Sequence, residues 1–315
     1  MKSDWPIVQL KDVLPKNGYI RGPFGSALRR PEMQSEGVPV YEQQHAIYNI
    51  RSFRFFIDSK KYYELRRFTV QPDDLIISCS GTLGKVSQIQ KEDPIGIISQ
   101  ALLLLRPDSN KIYPKYLYHF FASPKGYQSL LSVSSGSVQV NLSRREDIEK
   151  ISFPLPPLSD QRAIADVLSA LDDKIELNRK MNQTLEQLAQ TLFDHYFKNN
   201  AKKNNWRTCK VGEVCSFEYG KSLKATDRLK GLIPVYGSNG QIGLHNEFLV
   251  QGPGIVVGRK GNPGTVAYVH TNFFPIDTTF YVVPKPEINL YWLYYSLKSL
   301  NLSKLSADSA VPGLN

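Results

Sequence analysis

The longest hydrophobic pattern in the chain lies in its middle and is helical. Residues 160–197 contain neither glycine nor proline and would span about 57 Å as a helix. The residues that recur at alternating steps of four and three are Ile164, Leu168, Leu171, Ile175, Asn178, Asn182, Leu185, Ala189, Leu192 and Tyr196. This 3.5-residue period is typical of a coiled coil, so it predicts a narrow seam that packs on one partner helix.

The segments that flank this helix predict where it begins and ends. The run Phe153–Leu158 contains three prolines, which favour extended backbone before the helix. Ser159 is predicted to cap the helix N-terminus. The polar run Asn199–Asn205 follows as a linker.

The residues on the two sides of the helix repeat one another in the same order. The matching pairs are Trp5–Val13 with Trp206–Val214, Val38–Tyr41 with Ile233–Tyr236, Asp74–Val86 with Gly254–Val266, and Pro114–His119 with Leu290–Tyr295. Four ordered matches indicate a duplicated domain of about 110–150 residues and exclude a short-period solenoid.

Each copy combines strand and helix patterns, so the predicted fold class is α+β. Apolar or β-branched runs that predict strands are 75–79, 86–89, 101–105, 255–259, 265–270 and 278–283, and short aromatic helices are predicted at 114–121 and 290–297. The predicted organisation is a first domain at 1–158, a spacer helix and linker at 159–204, and a second, C-terminally incomplete domain at 205–315.

The distribution of charged residues along the chain suggests the kind of ligand that it binds. The formal net charge is +10. Residues 1–157 carry 21 basic and 15 acidic side chains, residues 158–205 carry 7 of each, and residues 206–315 carry 11 and 7. Two basic regions beside a neutral connector favour contact with a polyanion such as DNA. Ordinary surface charging for solubility is the alternative.

Several other classes of protein are not indicated by the sequence. No apolar run approaches the roughly 20 residues of a membrane span, and residues 1–5 lack the apolar core of a signal peptide. Cys79, Cys209 and Cys215 show neither a disulfide framework nor zinc-ligand spacing. We therefore expect a cytoplasmic protein.

We find no local motif for catalysis or metal binding. Phosphate-loop and dinucleotide-loop patterns are absent, and the five histidines have no paired ligand spacing. The acid pairs Asp73–Asp74 and Asp172–Asp173 are predicted to lie on solvated surfaces. An active site assembled from scattered residues stays an open alternative.

Two glycine-containing loops have the character of DNA-binding segments. Ser80–Lys85 and Gly258–Gly264 occupy the same place in the two copies. Glycine allows the backbone to approach a phosphate, and Lys85, Arg259 and Lys260 supply positive charge. The alternative is a pair of ordinary tight turns. Further candidate DNA-binding residues are Arg21, Arg29, Arg30, Arg51, Arg54, Lys221 and Lys224.

The middle of the chain resembles a known family. The run Ile151–Arg162, followed by Ile164–Glu176 and Asn178, is similar to the spacer of type I restriction–modification specificity subunits. Gly136–Ser143 and Ser309–Asn315 resemble the segments that close the two target recognition domains of that family. The resemblance extends over the whole chain.

This resemblance implies two DNA-reading domains held apart by two antiparallel helices. It implies a subunit that binds no cofactor and has no catalytic activity of its own. Its implied partners are double-stranded DNA, methyltransferase subunits that use S-adenosylmethionine, and a restriction subunit that uses ATP and magnesium. Rival hypotheses are a stand-alone DNA-binding or regulatory protein and an enzyme such as a fused methyltransferase.

One departure from the family concerns the second spacer helix. If Ser143 is aligned with Asn315, the distal helix would begin shortly after the last residue. We therefore expect that helix to be missing, through a truncated gene, a fragment or a phase-variable allele. The exposed seam is then predicted to pair with another copy or with a methyltransferase subunit, and Asn178 and Asn182 would fix the register. Folding of the helix back onto its own domains is the alternative.

Overall fold

The computed structural model describes residues 5–133 and 144–305. The chain divides into two compact units, Met1–Asn178 and Arg179–Asn315, with the division inside the long helix. Each unit mixes short strands with helices, so the α+β prediction is confirmed. Within the described residues, no helix is both long and apolar enough to cross a membrane.

Over residues 5–133 and 144–178, the first unit contains nine strands, five short helices and the start of the long helix. In chain order they are β1 (Ile7–Gln9), β2 (Tyr19–Arg21), β3 (Val38–Tyr41), α1 (Gln43–Tyr48), β4 (Phe56–Ile57), α2 (Ser59–Glu64), β5 (Leu75–Ser78), β6 (Val86–Gln88), β7 (Ile97–Ile98), β8 (Leu102–Leu105), α3 (Pro114–Ala122), α4 (Pro124–Ser132), α5 (Arg145–Glu149), β9 (Ser152–Pro154) and α6 (Leu158–Phe193).

The strands of the first unit form three sheets. The largest is antiparallel in the order β2-β8-β5-β6. A three-stranded sheet has the order β4-β3-β7, in which β3 and β7 run parallel. The third is the antiparallel pair β1-β9.

The four-stranded sheet is buried on both faces. Alternate residues of a strand point to opposite sides, and each side packs into its own hydrophobic cluster. Leu75, Ile77 and Leu103 lie in one hydrophobic cluster, which also contains Phe121 of α3. Ile76 and Leu104 lie in a second cluster with the β3-β7 pair. This double burial explains why β5 and β8 are almost continuously apolar in sequence.

The second unit follows α6 and repeats this plan. Its elements are α7 (Val211–Val214), β10 (Cys215–Tyr219), β11 (Ile233–Gly237), β12 (Gly240–His245), β13 (Gly254–Gly258), β14 (Val266–Val269), β15 (Phe274–Pro275), β16 (Thr279–Pro284) and α8 (Leu290–Ser299). The sheet orders β10-β16-β13-β14 and β12-β11-β15 match those of the first unit. The parallel pair β11-β15 corresponds to β3-β7.

The long helix differs from its prediction at the first turn. It begins at Leu158, and the carbonyl of Pro157 accepts hydrogen bonds from the backbone nitrogens of Asp160 and Gln161 at 2.9 and 3.0 Å. Ser159 is therefore inside the helix rather than its cap, and its hydroxyl donates to the Asp160 carboxylate. Pro157 therefore occupies the N-cap position, and its carbonyl accepts the first intrahelical hydrogen bond. A π-type turn at Asp194–Lys198 ends the helix.

Each half of α6 is held by the unit to which it belongs. In the first unit, Ala165 is fully buried in the main core, and Gln161 accepts a hydrogen bond from the backbone nitrogen of Tyr113 at 2.7 Å. In the second unit, the Glu186 carboxylate accepts hydrogen bonds from Tyr294 and from Lys298 of α8. Although burial opposes it, these hydrogen bonds lower the pKa of Glu186.

One acid of the first predicted pair is buried, contrary to the solvated position expected for it. Asp74 is only 1% exposed, and Arg106 donates to both of its carboxylate oxygens at 2.8 and 2.7 Å. Burial raises the pKa of Asp74, while the guanidinium of Arg106 acts in the opposite direction. Leu75 and Leu105 are direct partners across β5 and β8, so the residues beside them meet. That strand pairing was not evident from the sequence.

Candidate nucleic-acid interface

The two glycine loops have the same backbone form. They connect β5 to β6 and β13 to β14. Gly81 and Gly84 have φ angles of 64° and 71°, and Gly261 and Gly264 have φ angles of 84° and 81°. These left-handed conformations favour glycine at all four positions. The aligned repeat therefore corresponds to a shared turn.

Equivalent hydrogen bonds close the two turns. In the first unit, the backbone nitrogen of Gly84 donates to the carbonyl of Ser78 at 2.9 Å. In the second, the nitrogen of Gly264 donates to the carbonyl of Gly258, also at 2.9 Å. Each turn is thus fixed by its own backbone. Thr82 of the first turn and Lys260 and Asn262 of the second are exposed, whereas Cys79 and Leu83 of the first are buried.

Polar residues that the sequence analysis did not identify anchor both loops. Gln43 exchanges two hydrogen bonds of 3.2 Å with the nitrogen and hydroxyl of Ser80. In the second unit, the carbonyl of Ser238 accepts a hydrogen bond from the Thr265 hydroxyl at 2.9 Å. Gln43 and Ser238 each lie two residues after the tyrosine of the repeated Val/Ile-Pro-Val-Tyr segment. That shared position is the signal that could have identified them.

The predicted cations of the loops lie beside aromatic rings. The Lys85 amine is 4.6 Å from the centroid of the Tyr127 ring, and the lysine is exposed. The Arg259 guanidinium is 4.7 Å from the centroid of Tyr219. Its Nε is buried without a hydrogen-bond partner among the described residues. Lys260 is exposed. The rings hold these charges at the surface, where a polyanion has access to them.

Arg51 and Arg54, by contrast, are paired with carboxylates of the first unit, although the Arg54 side chain is 64% exposed. Arg51 pairs with Asp93 at 2.6 Å and donates to the carbonyl of Gln88 at 2.8 Å. Arg54 donates to both carboxylate oxygens of Glu42 at 2.8 Å. A DNA contact by either arginine would compete with these ion pairs, so the structure places both in structural contacts and leaves their DNA contact a prediction.

The other predicted cations are spread over the surface of the two units. Arg21 ends β2 and is half-buried, while Arg29 and Arg30 are exposed near a 3-10 turn. Lys221 and Lys224 are exposed after β10. Their contact with DNA also stays a prediction.

Most of the predicted seam of α6 is exposed. Leu171, Leu185 and Tyr196 are 58%, 55% and 58% exposed, and Leu168, Ile175 and Leu192 are exposed as well. Asn178 and Asn182 are exposed at the middle of the helix. Ile164 and Ala189 are only partly exposed, and Ile164 packs against the core of the first unit. Among the described residues, therefore, no other part of the protein covers most of the seam.

Titratable groups in the units are mainly structural. The imidazole of His45 is buried, accepts a hydrogen bond from the backbone nitrogen of Glu42 and contacts the carbonyl of Ser52. Burial lowers its pKa. Burial also raises the pKa of the Cys79 thiol to about 12. Over 5–133 and 144–305, no group of three or more histidine, cysteine or acidic residues could hold a metal ion.

Two segments that carried the family resemblance lie partly or wholly outside the described residues. Gly136–Ser143 and Ser309–Asn315 are both in this position. The proline-rich entry and the long helix, which carried the rest of the resemblance, are both described.

Comparison with protein families identifies the class. The model of the type I restriction modification DNA specificity domain matches residues 2–187 and 203–315. Each match contains one of the two repeated copies, the first match continues into α6, and together they extend over most of the chain. The chain belongs to this family.

Individual relatives are more distant. A type I restriction enzyme specificity subunit of Methanocaldococcus jannaschii is 24% identical over 70% of this chain and 54% of its own length. The HindI specificity subunit of Haemophilus influenzae is 31% identical over 32% of this chain and 22% of its length. The chain thus spans about half, or less, of the length of these relatives.

A solved structure supports the fold. The type I restriction–modification S subunit of M. genitalium matches with a TM-score of 0.55 and 20% identity, over 95% of this chain and 77% of that one. At this identity the likeness concerns the fold, which is the duplicated α+β arrangement described above.

Proposed function

We propose that the chain is a sequence-specific DNA-binding subunit of a type I restriction–modification complex. The observation that carries this proposal is the repeated loop: two turns of the same backbone form present different side chains in two homologous units. A shared turn with different exposed groups suits two domains that read different halves of a bipartite target, because base recognition depends on side chains and positioning depends on the scaffold.

In this proposal the chain binds DNA and its partners perform the chemistry. The chain itself would hold no cofactor. Methyltransferase subunits would bring S-adenosylmethionine, and a restriction subunit would bring ATP and magnesium. Such a complex would work in the cytoplasm, where chromosomal DNA is accessible.

The proposal is tested by selecting duplexes from a random-sequence DNA pool with the purified chain. We expect enrichment of a sequence with two specific segments separated by an unspecified spacer. The same selection with the chain plus methyltransferase subunits shows whether the partners are needed for tight binding. A pool that stays random under both conditions would contradict the proposal.

The enzyme alternative has a separate test. The purified chain is incubated with DNA and labelled S-adenosylmethionine, with and without methyltransferase subunits. We expect transfer of label only when those subunits are present. Transfer by the chain alone would show that it carries a methyltransferase site.

The exposed seam of α6 has a proposed role in assembly. Several aliphatic side chains, each worth about 1.5–3 kcal/mol when fully buried, are too much apolar surface for a free helix. We propose that the seam pairs with another copy of the helix or with a methyltransferase subunit. Asn178 and Asn182 lie near the midpoint, where an antiparallel pair would bring them close to their mates.

Sedimentation of the chain and of a Leu171→Glu plus Ile175→Glu variant tests this pairing. Both positions are exposed, so the variant should keep its fold. We expect a dimer, or a complex with methyltransferase subunits, that the variant does not form. A wild-type chain that stays monomeric and soluble with and without those subunits would refute it.

A further inference from the structure

The first unit contains a strongly basic cavity that is separate from the glycine loop. Its volume is about 590 Å³, and it lies beside β2, the edge strand of the four-stranded sheet. Six cationic side chains line it, and none of its lining residues is acidic. The six are Lys16, Arg21, Arg66, Arg67, Arg106 and Arg145.

Two of these six charges are neutralised within the protein. Arg106 is paired with the buried Asp74, and Arg145 is paired with Glu149 at 2.7 Å. These pairs fix part of the wall. They also leave the other four cations as the source of the cavity's positive potential.

The remaining four have no carboxylate within ion-pair distance among the described residues. The guanidinium of Arg66 is held 4.3 Å from the centroid of the Tyr63 ring, and that of Arg67 is 4.4 Å from the centroid of Phe68. Lys16 is exposed in the turn before β2. Arg66 also donates one hydrogen bond, to the carbonyl of Tyr63 at 3.4 Å. The aromatic contacts position each guanidinium without neutralising its charge.

Arg21 forms another part of the cavity wall. Its Nη1 is inaccessible to solvent and has no hydrogen-bond partner in the described part of the chain, so a ligand would meet the other atoms of this side chain. Because no ion pair neutralises Arg21 among the described residues, its positive charge adds to that of the cavity. Tyr19, two residues earlier in β2, also lines the cavity. Burial raises the pKa of Tyr19 to about 12, so the phenol stays protonated and can donate as well.

We propose that this cavity is a phosphate-binding site. Arginine is well suited to phosphate oxygens because its planar group donates two parallel hydrogen bonds. Several unpaired cations around one opening match a group that carries more than one negative charge or several adjacent oxygens. The phosphate belongs either to the DNA backbone, in which case the site rests on and deepens the proposed function, or to a free phosphate compound.

The test uses the full chain with Arg66→Gln plus Arg67→Gln, two exposed residues whose replacement should not unfold the unit. The matched control is Lys60→Gln plus Lys91→Gln, which removes the same charge from exposed positions outside the cavity. Inorganic pyrophosphate and a DNA duplex are the two probes, and calorimetry and fluorescence anisotropy measure their binding. Lys16→Gln is a second cavity variant, and circular dichroism checks every fold.

We expect the cavity variants to bind pyrophosphate at least tenfold more weakly than the control. If the source is the DNA backbone, duplex affinity also falls and its salt dependence becomes shallower by about 0.9 per lost contact. If the source is a free phosphate compound, duplex binding equals that of the control. Equal binding of both probes by the cavity variants and the control would overturn the site. A wild-type chain that binds pyrophosphate but no duplex would contradict the proposed function and leave the site standing.

Discussion

The two units of the chain share a scaffold and differ in what they place on it. The turn after β5 and the turn after β13 have matching φ angles and matching closing hydrogen bonds. At the aligned position before the turn, however, the first unit has the buried Cys79 and the second has the partly exposed Arg259. The duplicated backbone thus tolerates different side chains at its rim, as the proposed function requires.

The supports of the two loops differ as well. The first loop is anchored by Gln43 from α1, and its unit also contains the buried Asp74–Arg106 pair. The second unit has no counterpart of that pair at the aligned positions, Gly254 and Val283. The same topology is therefore stabilised partly by polar contacts in one unit and more by apolar and backbone contacts in the other.

The largest expected difference concerns the last glycine of each turn. A Cβ at Gly264 would lie 2.2 Å from the backbone nitrogen of Ser303, whereas one at Gly84 would lie 3.2 Å from the ring of Tyr127. Positive φ costs alanine roughly 1–2 kcal/mol at either position. The backbone clash adds about 1–3 kcal/mol at Gly264 alone.

Chemical denaturation of Gly264→Ala and Gly84→Ala measures this difference. Gly212→Ala is the control, because a Cβ there meets nothing within 4 Å. We expect Gly264→Ala to destabilise its unit clearly more than Gly84→Ala destabilises the first. Equal losses would show that the two turns are packed alike.

Charge reversal in the loops should have the next largest effect. Lys85→Glu removes one candidate phosphate contact, and Arg259→Glu plus Lys260→Glu removes two. The slope of log affinity against log salt should become shallower by about 0.9 in the first variant and about 1.8 in the second. Duplex titration at several salt concentrations measures it.

The control for this experiment reverses two exposed lysines elsewhere in the second unit, Lys230→Glu plus Lys285→Glu. It should change affinity far less than the loop variant. If loop and control variants have the same slope, or if wild-type affinity does not depend on salt, the loops are ordinary turns.

Loss of an anchor should have a smaller effect, confined to the first unit. Gln43→Ala removes both hydrogen bonds to Ser80, each worth about 0.5–1.5 kcal/mol. Because the turn is also closed by its own backbone, we expect a modest loss of stability and weaker duplex binding. Gln44→Ala, at the neighbouring position, is the control, and its duplex affinity should remain that of the wild type. No difference between the two variants would show that Gln43 does not position the loop.

The smallest expected effect is a different pH dependence in the two units. Burial lowers the pKa of His45 and His119 below 6.5, so both are neutral in the folded first unit. Their contribution is complete above the unfolded pKa of about 6.5 and is lost as pH falls through the folded pKa values. In the second unit, the pKa of Glu186 lies below 4.5, so its contribution is lost only at lower pH.

Thermal unfolding of the chain between pH 7.5 and 4 should therefore show the first unit weakening before the second. In His45→Gln, the decline of the first unit as the pH falls below about 6.5 should be smaller. An unchanged decline would mean that His45 does not titrate on unfolding.

Local patterns were sufficient to predict most elements of the fold. The apolar runs at β5, β8, β13 and β16 and the aromatic helices α3 and α8 all lie within a few residues of their predicted bounds. The burial of these strands and helices follows from the spacing of their apolar residues, which can be recognised within a single segment of the sequence. The duplication was also evident, because matched segments keep their order.

Contacts between distant segments could not be predicted in this way. The three-stranded sheets depend on the parallel pairs β3-β7 and β11-β15, whose short strands have weak individual patterns. The Asp74–Arg106 pair depends on the register of β5 against β8. The basic cavity likewise gathers residues from 16 to 145, which no local motif relates.

In the proposed function, the two units direct a methyltransferase to a bipartite sequence. Mapping of adenine methylation in the host genome, with the gene for this chain intact, deleted or carrying loop charge reversals, tests this proposal most directly. We expect methylation at one two-part sequence that disappears on deletion. Lys85→Glu should weaken recognition of one part, and Arg259→Glu plus Lys260→Glu that of the other. A methylation pattern unchanged by the deletion would contradict the proposed function.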